Sequence, residues 1–162
     1  MLVITMGVSG CGKTTIGKLL ADNLKIPYFD ADDFHPKENI EKMKNGIPLT
    51  DEDRFPWLQN LANQIEIWEN AGGAVLSCSA LKEDYRQILK SKVHNVQWVY
   101  LSGTYDLIAK RMKNRTNHYM KSKLLQSQFD TLEEPDYGLK IDILAPPTEI
   151  VNSILIKLNT YE

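Results

Sequence analysis

Two groups of residues in this chain have types and spacings that can do chemistry. The first is Gly7-Val8-Ser9-Gly10-Cys11-Gly12-Lys13-Thr14, followed by Thr15, which fits the pattern G-x-x-x-x-G-K-[ST]. Glycines at that spacing let successive backbone N–H groups turn inward around phosphate oxygens, and a following helix points its positive end at them. Lys13 then reaches the β- and γ-phosphates, while the Thr14 hydroxyl can ligate Mg²⁺. The expected ligand is a nucleoside triphosphate. The second group is Phe29-Asp30-Ala31-Asp32-Asp33-Phe34-His35. On an extended segment Asp30 and Asp32 share a face. One carboxylate can hold Mg²⁺ through water while the other takes a proton from an acceptor hydroxyl. Asp33 reads as a solvated turn residue, and His35, before Pro36, suits either a helix start or a substrate donor.

The elements around these groups follow from hydrophobic period. Leu2–Met6 is a short apolar run, as in a buried parallel strand. Lys13–Leu24 carries Ile16, Leu19, Leu20 and Leu24 at helical spacing. Pro27–Phe29 reads as a second strand, and Pro36 starts a helix that Gly46 ends. Phe55, Leu58, Leu61, Ala62, Ile65 and Trp68 mark a third helix, with Asp53 as its expected cap and Pro56 in its first turn. Further on come strand Ala74–Cys78, helix Leu81–Ser91, strand Val96–Leu101 and a helix from Tyr105 to Lys113. The polar stretch Asn114–Ser122 precedes helix Leu124–Leu132, strand Leu139–Leu144 and helix Ile150–Leu158. Alternation of this kind means an α/β fold, a parallel sheet with helices on both faces and ligands beyond the carboxyl ends of the strands.

The 162 residues suit one domain, 1–162, and 43% hydrophobic with 25% charged residues is ordinary for a globular protein. A net charge of −2 argues against nucleic-acid or membrane-surface partners. No run is long and apolar enough for a bilayer, and no leader is expected before Leu2, so the expected location is cytoplasmic. Cys11 and Cys78 lack metal spacing and read as buried or loop thiols. There is no Asn-Lys-x-Asp, which a GTPase needs to read guanine, and a large motor ATPase needs more chain. A small kinase, with its acceptor pocket after the second strand, remains. A purely sensory nucleotide binder is disfavoured because the phosphate-loop lysine, the acidic pair and a basic stretch at 111–121 all occur together.

The segments "MGVSGCGKTT", "DADDFHPKENIEKMKNGIPLTDEDRFPWL", "CSALKEDYR" and "KSKLLQSQFDTLEEP" resemble, in that order, the gluconate kinases of the shikimate-kinase-like P-loop type. The long second block separates them from shikimate kinases. The resemblance implies the nucleoside-monophosphate-kinase-like three-layer fold, with a five-stranded parallel sheet and a mobile lid at about 114–122. It implies ATP-dependent phosphorylation of D-gluconate with Mg²⁺, and a homodimer. In that pattern Lys13, Thr14 and the loop from Gly7 to Thr15 serve ATP. Asp32 meets the acceptor hydroxyl, and Asp30 stands on the metal side. His35, Arg54, Lys82 and Arg86 line the sugar-acid pocket, where a carboxylate and a row of hydroxyls need cationic forks beside donors and acceptors. Arg111 and Arg115 belong to the lid side of ATP, with His118 nearby, and an adenine site is expected near Leu144–Pro147. Gln128 and Glu133 match the last block with no chemical role to assign.

Overall fold

Residues alternate across the first strand. Leu2, Ile4 and Met6 join one apolar layer with Trp57, Leu58, Leu61 and Ile65, while Val3 joins another with Ile16, Leu20, Ile150 and Ile154. That alternation is what a central strand with helices on both faces requires. The computed structural model describes residues 1–115 and 120–160, apart from the side chains at 114–115, 120–123 and 160. Its elements are β1 (Leu2–Met6), α1 (Lys13–Leu24), β2 (Tyr28–Asp30), a 3₁₀ turn (Ala31–Phe34), α2 (Lys37–Lys44), α3 (Asp51–Asn70), β3 (Ala74–Ser77), α4 (Glu83–Leu89), β4 (Gln97–Ser102), α5 (Tyr105–Arg115), α6 (Met120–Thr131), β5 (Leu139–Asp142) and α7 (Pro147–Thr160). The sheet is parallel throughout, in the order β2-β3-β1-β4-β5. Among the described residues no helix is long and apolar enough to cross a membrane.

Some expectations need correction. The cap of α3 is Thr50, not Asp53: Thr50 Oγ accepts from the Asp53 N–H and the Asp53 carboxylate accepts from the Thr50 N–H, a capping box. Pro56 therefore lies in the second turn, where its missing N–H leaves the carbonyl of exposed Glu52 to water. Helix α5 continues to Arg115 and α6 begins at Met120, so both ends of the 114–122 stretch are helical rather than loop. Residues 116–119 lie outside the described residues, as do His118 and the side chain of Arg115.

Helix α1 is drawn down onto the sheet at Gly17. A Cβ there would stand 2.7 Å from Ser77 Oγ and 2.7 Å from the Tyr28 ring. The close approach lets Ser77 Oγ donate to the Lys13 carbonyl at 2.8 Å while also pairing with Thr5 Oγ1 at 2.8 Å. Thr5 and Ser77 are buried, so the first turn of α1 is pinned to β1 and β3 from beneath. Gly17→Ala should force helix and strand apart and cost about 1–3 kcal/mol, a fall of several degrees in Tm. Thermal unfolding measures it, and an unchanged Tm would show that the helix seat can yield.

Candidate active site

The phosphate loop leaves β1 at the centre of the sheet and turns into α1. Gly10 and Gly12 take φ of +80° and +100°, and a Cβ on Gly10 would lie 2.8 Å from Met112. Both positions therefore require glycine for the turn, and Gly10 for space as well. Ile16 N–H donates to Gly12 O, so the N–H groups of Lys13, Thr14 and Thr15 form the first turn, which has no helical acceptor. Lys13 Nζ folds over the loop, donating to the carbonyls of Gly7 (3.0 Å) and Val8 (3.1 Å). Gly7 N–H donates to Ser79 O, tying the loop to the segment after β3. Cys11 is buried beneath the loop and Cys78 at the end of β3, and both thiols are free. Burial pushes the Cys78 thiol up to about 12, which keeps it protonated at neutral pH.

One cavity of about 190 Å³ opens on this loop. Its walls bring Lys13 and Thr14 together with Asp30, Asp32 and Ser79. The two aspartates are not neighbours on an extended strand, as their alternation predicts. Asp30 ends β2 and its Oδ1 accepts the Asp32 N–H at 2.9 Å, which starts the 3₁₀ turn and swings Asp32 round beside it. The turn is fixed from below: Trp57 Nε1 donates to Ala31 O at 2.8 Å, and Phe29 stacks on Trp68 at 4.1 Å. Surrounding protein, then the charges of Asp30 and Asp33, raise the Asp32 pKa, with Lys13 opposing. The side chain is nevertheless 83% accessible, so water screens much of this upward push.

His35 stands behind Asp32 and is itself only 4% accessible, stacked on Trp57 at 4.1 Å. Asn39 Nδ2 uses one hydrogen on Asp53 O (2.9 Å) and turns the other to His35 Nδ1 (3.2 Å). Nδ1 is thus the acceptor, and Nε2 carries the proton that faces Asp32 Oδ1 at 4.0 Å. Burial, and then the Arg54 charge, lower the His35 pKa to about 4 from 6.5.

Arg54 and Lys82 come together as the pattern of a sugar-acid pocket implies, but they meet around a residue that the sequence did not single out. Asp51 accepts a hydrogen bond from the Tyr85 hydroxyl and lies 3.5 Å from Lys82 Nζ and 3.9 Å from Arg54. Both cations also sit over the Tyr85 ring, at 5.7 and 5.6 Å. Only the i,i+3 spacing of Asp51 and Arg54 on one helix signalled this in the sequence.

Arg86 does not reach the cleft, contrary to expectation. It is 1% exposed, and its Nη1 donates to Ala80 O, Nη2 to Glu133 O, and Nε to Glu83 and to the Tyr137 hydroxyl. Ala80 has φ of +45°, strained for a residue with a Cβ, so Arg86 holds this turn in shape. Glu133 accepts the Glu83 N–H at the start of α4, which gives that residue a structural role. Arg111 donates to Ile143 O at 2.7 Å, next to the exposed Leu144 where the adenine site is expected.

A shikimate kinase family model matches residues 9–138. The thermoresistant gluconokinase of Escherichia coli K12 is 38% identical, over 95% of this chain and 91% of its own. The thermosensitive gluconokinase of the same organism is 45% identical, over 82% of this chain and 71% of its own. A crystal structure of a gluconokinase from Sinorhizobium meliloti superposes with a TM-score of 0.90 at 40% identity, covering 99% of this chain and 92% of that one. This chain belongs to the gluconokinase family. It has the fold of the P-loop kinases, and Asp30 and Asp32 line the same cavity as the phosphate loop.

Two outcomes follow from these contacts. The unfolded chain takes up the His35 proton near pH 6.5 and the folded chain only near pH 4. Between those values the unfolded state binds more protons, so stability should fall as pH drops from 6.5 to 4, by about 3 kcal/mol at most. Denaturant midpoints against pH should show a shallower fall in His35→Gln; an identical slope would put the acid sensitivity elsewhere. Arg86→Ala should cost about 3–5 kcal/mol of stability, since it strands Glu83 and two carbonyls. A stable Arg86→Ala protein with a raised KM for the acceptor would return Arg86 to the substrate site.

Proposed function

We propose that this protein transfers the γ-phosphoryl group of ATP to the terminal primary hydroxyl of D-gluconate, giving 6-phospho-D-gluconate and ADP. The observation that carries it is the single cavity in which Lys13 and Thr14 face Asp30 and Asp32. The loop from Gly7 to Thr15 cradles the phosphates, and the Lys13 ammonium neutralises charge on the β- and γ-groups as the bond between them breaks. Asp32 accepts the hydroxyl proton while the acceptor oxygen bonds to the γ-phosphorus. Thr14 and, through water, Asp30 offer hard oxygen donors that fit Mg²⁺, a cation that keeps several waters and needs no closed protein cage. Among the described residues no such cage of three His, Cys, Asp or Glu exists. Bound there, the ion neutralises phosphate charge.

Arg54 and Lys82, with one surplus positive charge over Asp51, receive the gluconate carboxylate, and His35 supports the acceptor side. Arg111 lies toward the nucleotide base, and Arg115 with the 114–122 stretch acts as the lid arginine in this reading. A cytoplasmic homodimer belongs to the same proposal. A kinase of shikimate or another small hydroxylated acceptor is the weaker reading, because the cation pair and its Asp51 lie in the long second block and "CSALKEDYR".

Coupled ADP release with gluconate, glucose and shikimate, with the product position read by NMR, tests the proposal. Gluconate should exceed glucose in kcat/KM by about tenfold to a hundredfold, the worth of a charge-assisted contact to the acid. Asp32→Asn should lower kcat by about 10²–10⁴-fold with ATP affinity nearly unchanged. Equal rates on glucose and gluconate, or preference for shikimate, would overturn the acceptor assignment. A variant that loses only nucleotide affinity would move Asp32 to the metal side.

A further inference from the structure

Ser9 is the third residue of the phosphate loop, and it is held by a residue 119 positions away. Its N–H donates to Gln128 Oε1 at 2.6 Å, and Gln128 Nε2 donates to Ser9 Oγ at 3.0 Å. The Oε1 bond holds the Ser9 peptide N–H itself, and the Nε2 bond holds the Ser9 side chain beside it. That peptide joins Val8 to Ser9. Its other end, the Val8 carbonyl, accepts from Lys13 Nζ at 3.1 Å and from Cys11 N–H at 3.3 Å.

The Val8–Ser9 peptide is therefore clamped at both poles. Gln128 keeps its N–H turned to α6, and its carbonyl is left pointing to Lys13. Ser9 N–H is accordingly taken up by Gln128, as Gly7 N–H is by Ser79 and Cys11 N–H by Val8, which leaves Gly10, Gly12 and the first turn of α1 as the loop's remaining donors. Without the clamp the peptide can turn over, which would swing a carbonyl dipole toward the nest and remove the acceptor that holds Lys13. Either change weakens binding of a polyanion.

We propose that Gln128 is a positioning residue for phosphate binding, acting through the Val8–Ser9 peptide on the loop and on Lys13. It touches neither ATP nor acceptor. The inference rests on the reading above only in taking a triphosphate as the ligand of the loop.

The test is calorimetric binding of Mg²⁺ with a non-hydrolysable ATP analogue, without acceptor, to the full-length wild type, Gln128→Ala, Gln128→Met, Ser9→Ala and Ser9→Ala/Gln128→Ala. Methionine keeps the length and loses both bonds, so a folding defect in the alanine variant does not leave the question open. Losing both bonds should weaken the analogue about tenfold and raise the ATP KM alike, with gluconate KM within about twofold. Ser9→Ala should lose less, and the double variant less than the product of the two single losses, because they share a bond. An analogue affinity within twofold of wild type in folded Gln128→Met, or losses that simply multiply, would overturn the proposal. A wild type that binds the analogue and phosphorylates no gluconate would overturn the acceptor reading and leave this one standing.

Discussion

The seat of the Lys13 carbonyl on Thr5 and Ser77 is the contact on which the site depends. A phosphate loop works only if its backbone donors and its lysine converge on one point, and that needs the following helix to start at a fixed place over the sheet. Here Ser77 Oγ donates to that Lys13 carbonyl at 2.8 Å, and buried Thr5 on the neighbouring strand donates to Ser77 Oγ at 2.8 Å and so holds it in place. The carbonyl of a first-turn residue still accepts its helical bond, so the hydroxyls add a second, lateral anchor. Gly17 permits the approach one turn further on, where any side chain would meet Ser77 and Tyr28.

From that seat the two halves of the cleft are held by different means. The side that carries Asp30 and Asp32 is fixed by aromatic packing: Phe29, Phe34 and Trp68 on one another, His35 on Trp57. The segment around the end of α6 is fixed by polar contacts instead. Gln128 grips Ser9, while Glu133 takes the Glu83 N–H, donates its own N–H to Leu81 O and gives its carbonyl to Arg86. One short stretch thus braces both the phosphate loop and the turn that presents Lys82. Hydrogen bonds suit this task because they fix orientation, whereas apolar packing fixes mainly distance.

The strand and helix order was legible because each element carries a clean period, and the phosphate loop because its spacing has one chemical use. The acidic pair was legible in identity but not in geometry. Alternation along a strand suggested a shared face, whereas the Asp30 carboxylate captures the Asp32 N–H and ends the strand, a local competition that periodicity does not register. The surroundings of Arg86 were hidden for a related reason. An arginine in a functional block looks available for an anion, and only the fold shows that Ala80, Glu83, Glu133 and Tyr137 use it up. Asp51 and Gln128 were hidden because their meaning lies in partners 31 to 119 residues away. Sequence spacing reveals contacts along an element and is silent about those between elements.

Asp51 also bears on how the proposed pocket would select an acid. Were Arg54 and Lys82 to face the cleft alone, a neutral sugar would leave cations unpartnered and be rejected by that penalty. With Asp51 and the Tyr85 hydroxyl already among them, the cations are partly satisfied before any acceptor arrives. Neutral sugars then lose little, and discrimination must come from what an acid gains. That gain is available because two positive charges stand against one negative, and because Arg54 and Lys82 are each about a third exposed and can turn to a second anion. An attractive contact of this kind is worth about 1.5–3 kcal/mol, less than a stranded buried charge. In the proposed reading the pocket prefers an acid by attraction, and Asp51 orients the two cations while no acid is present.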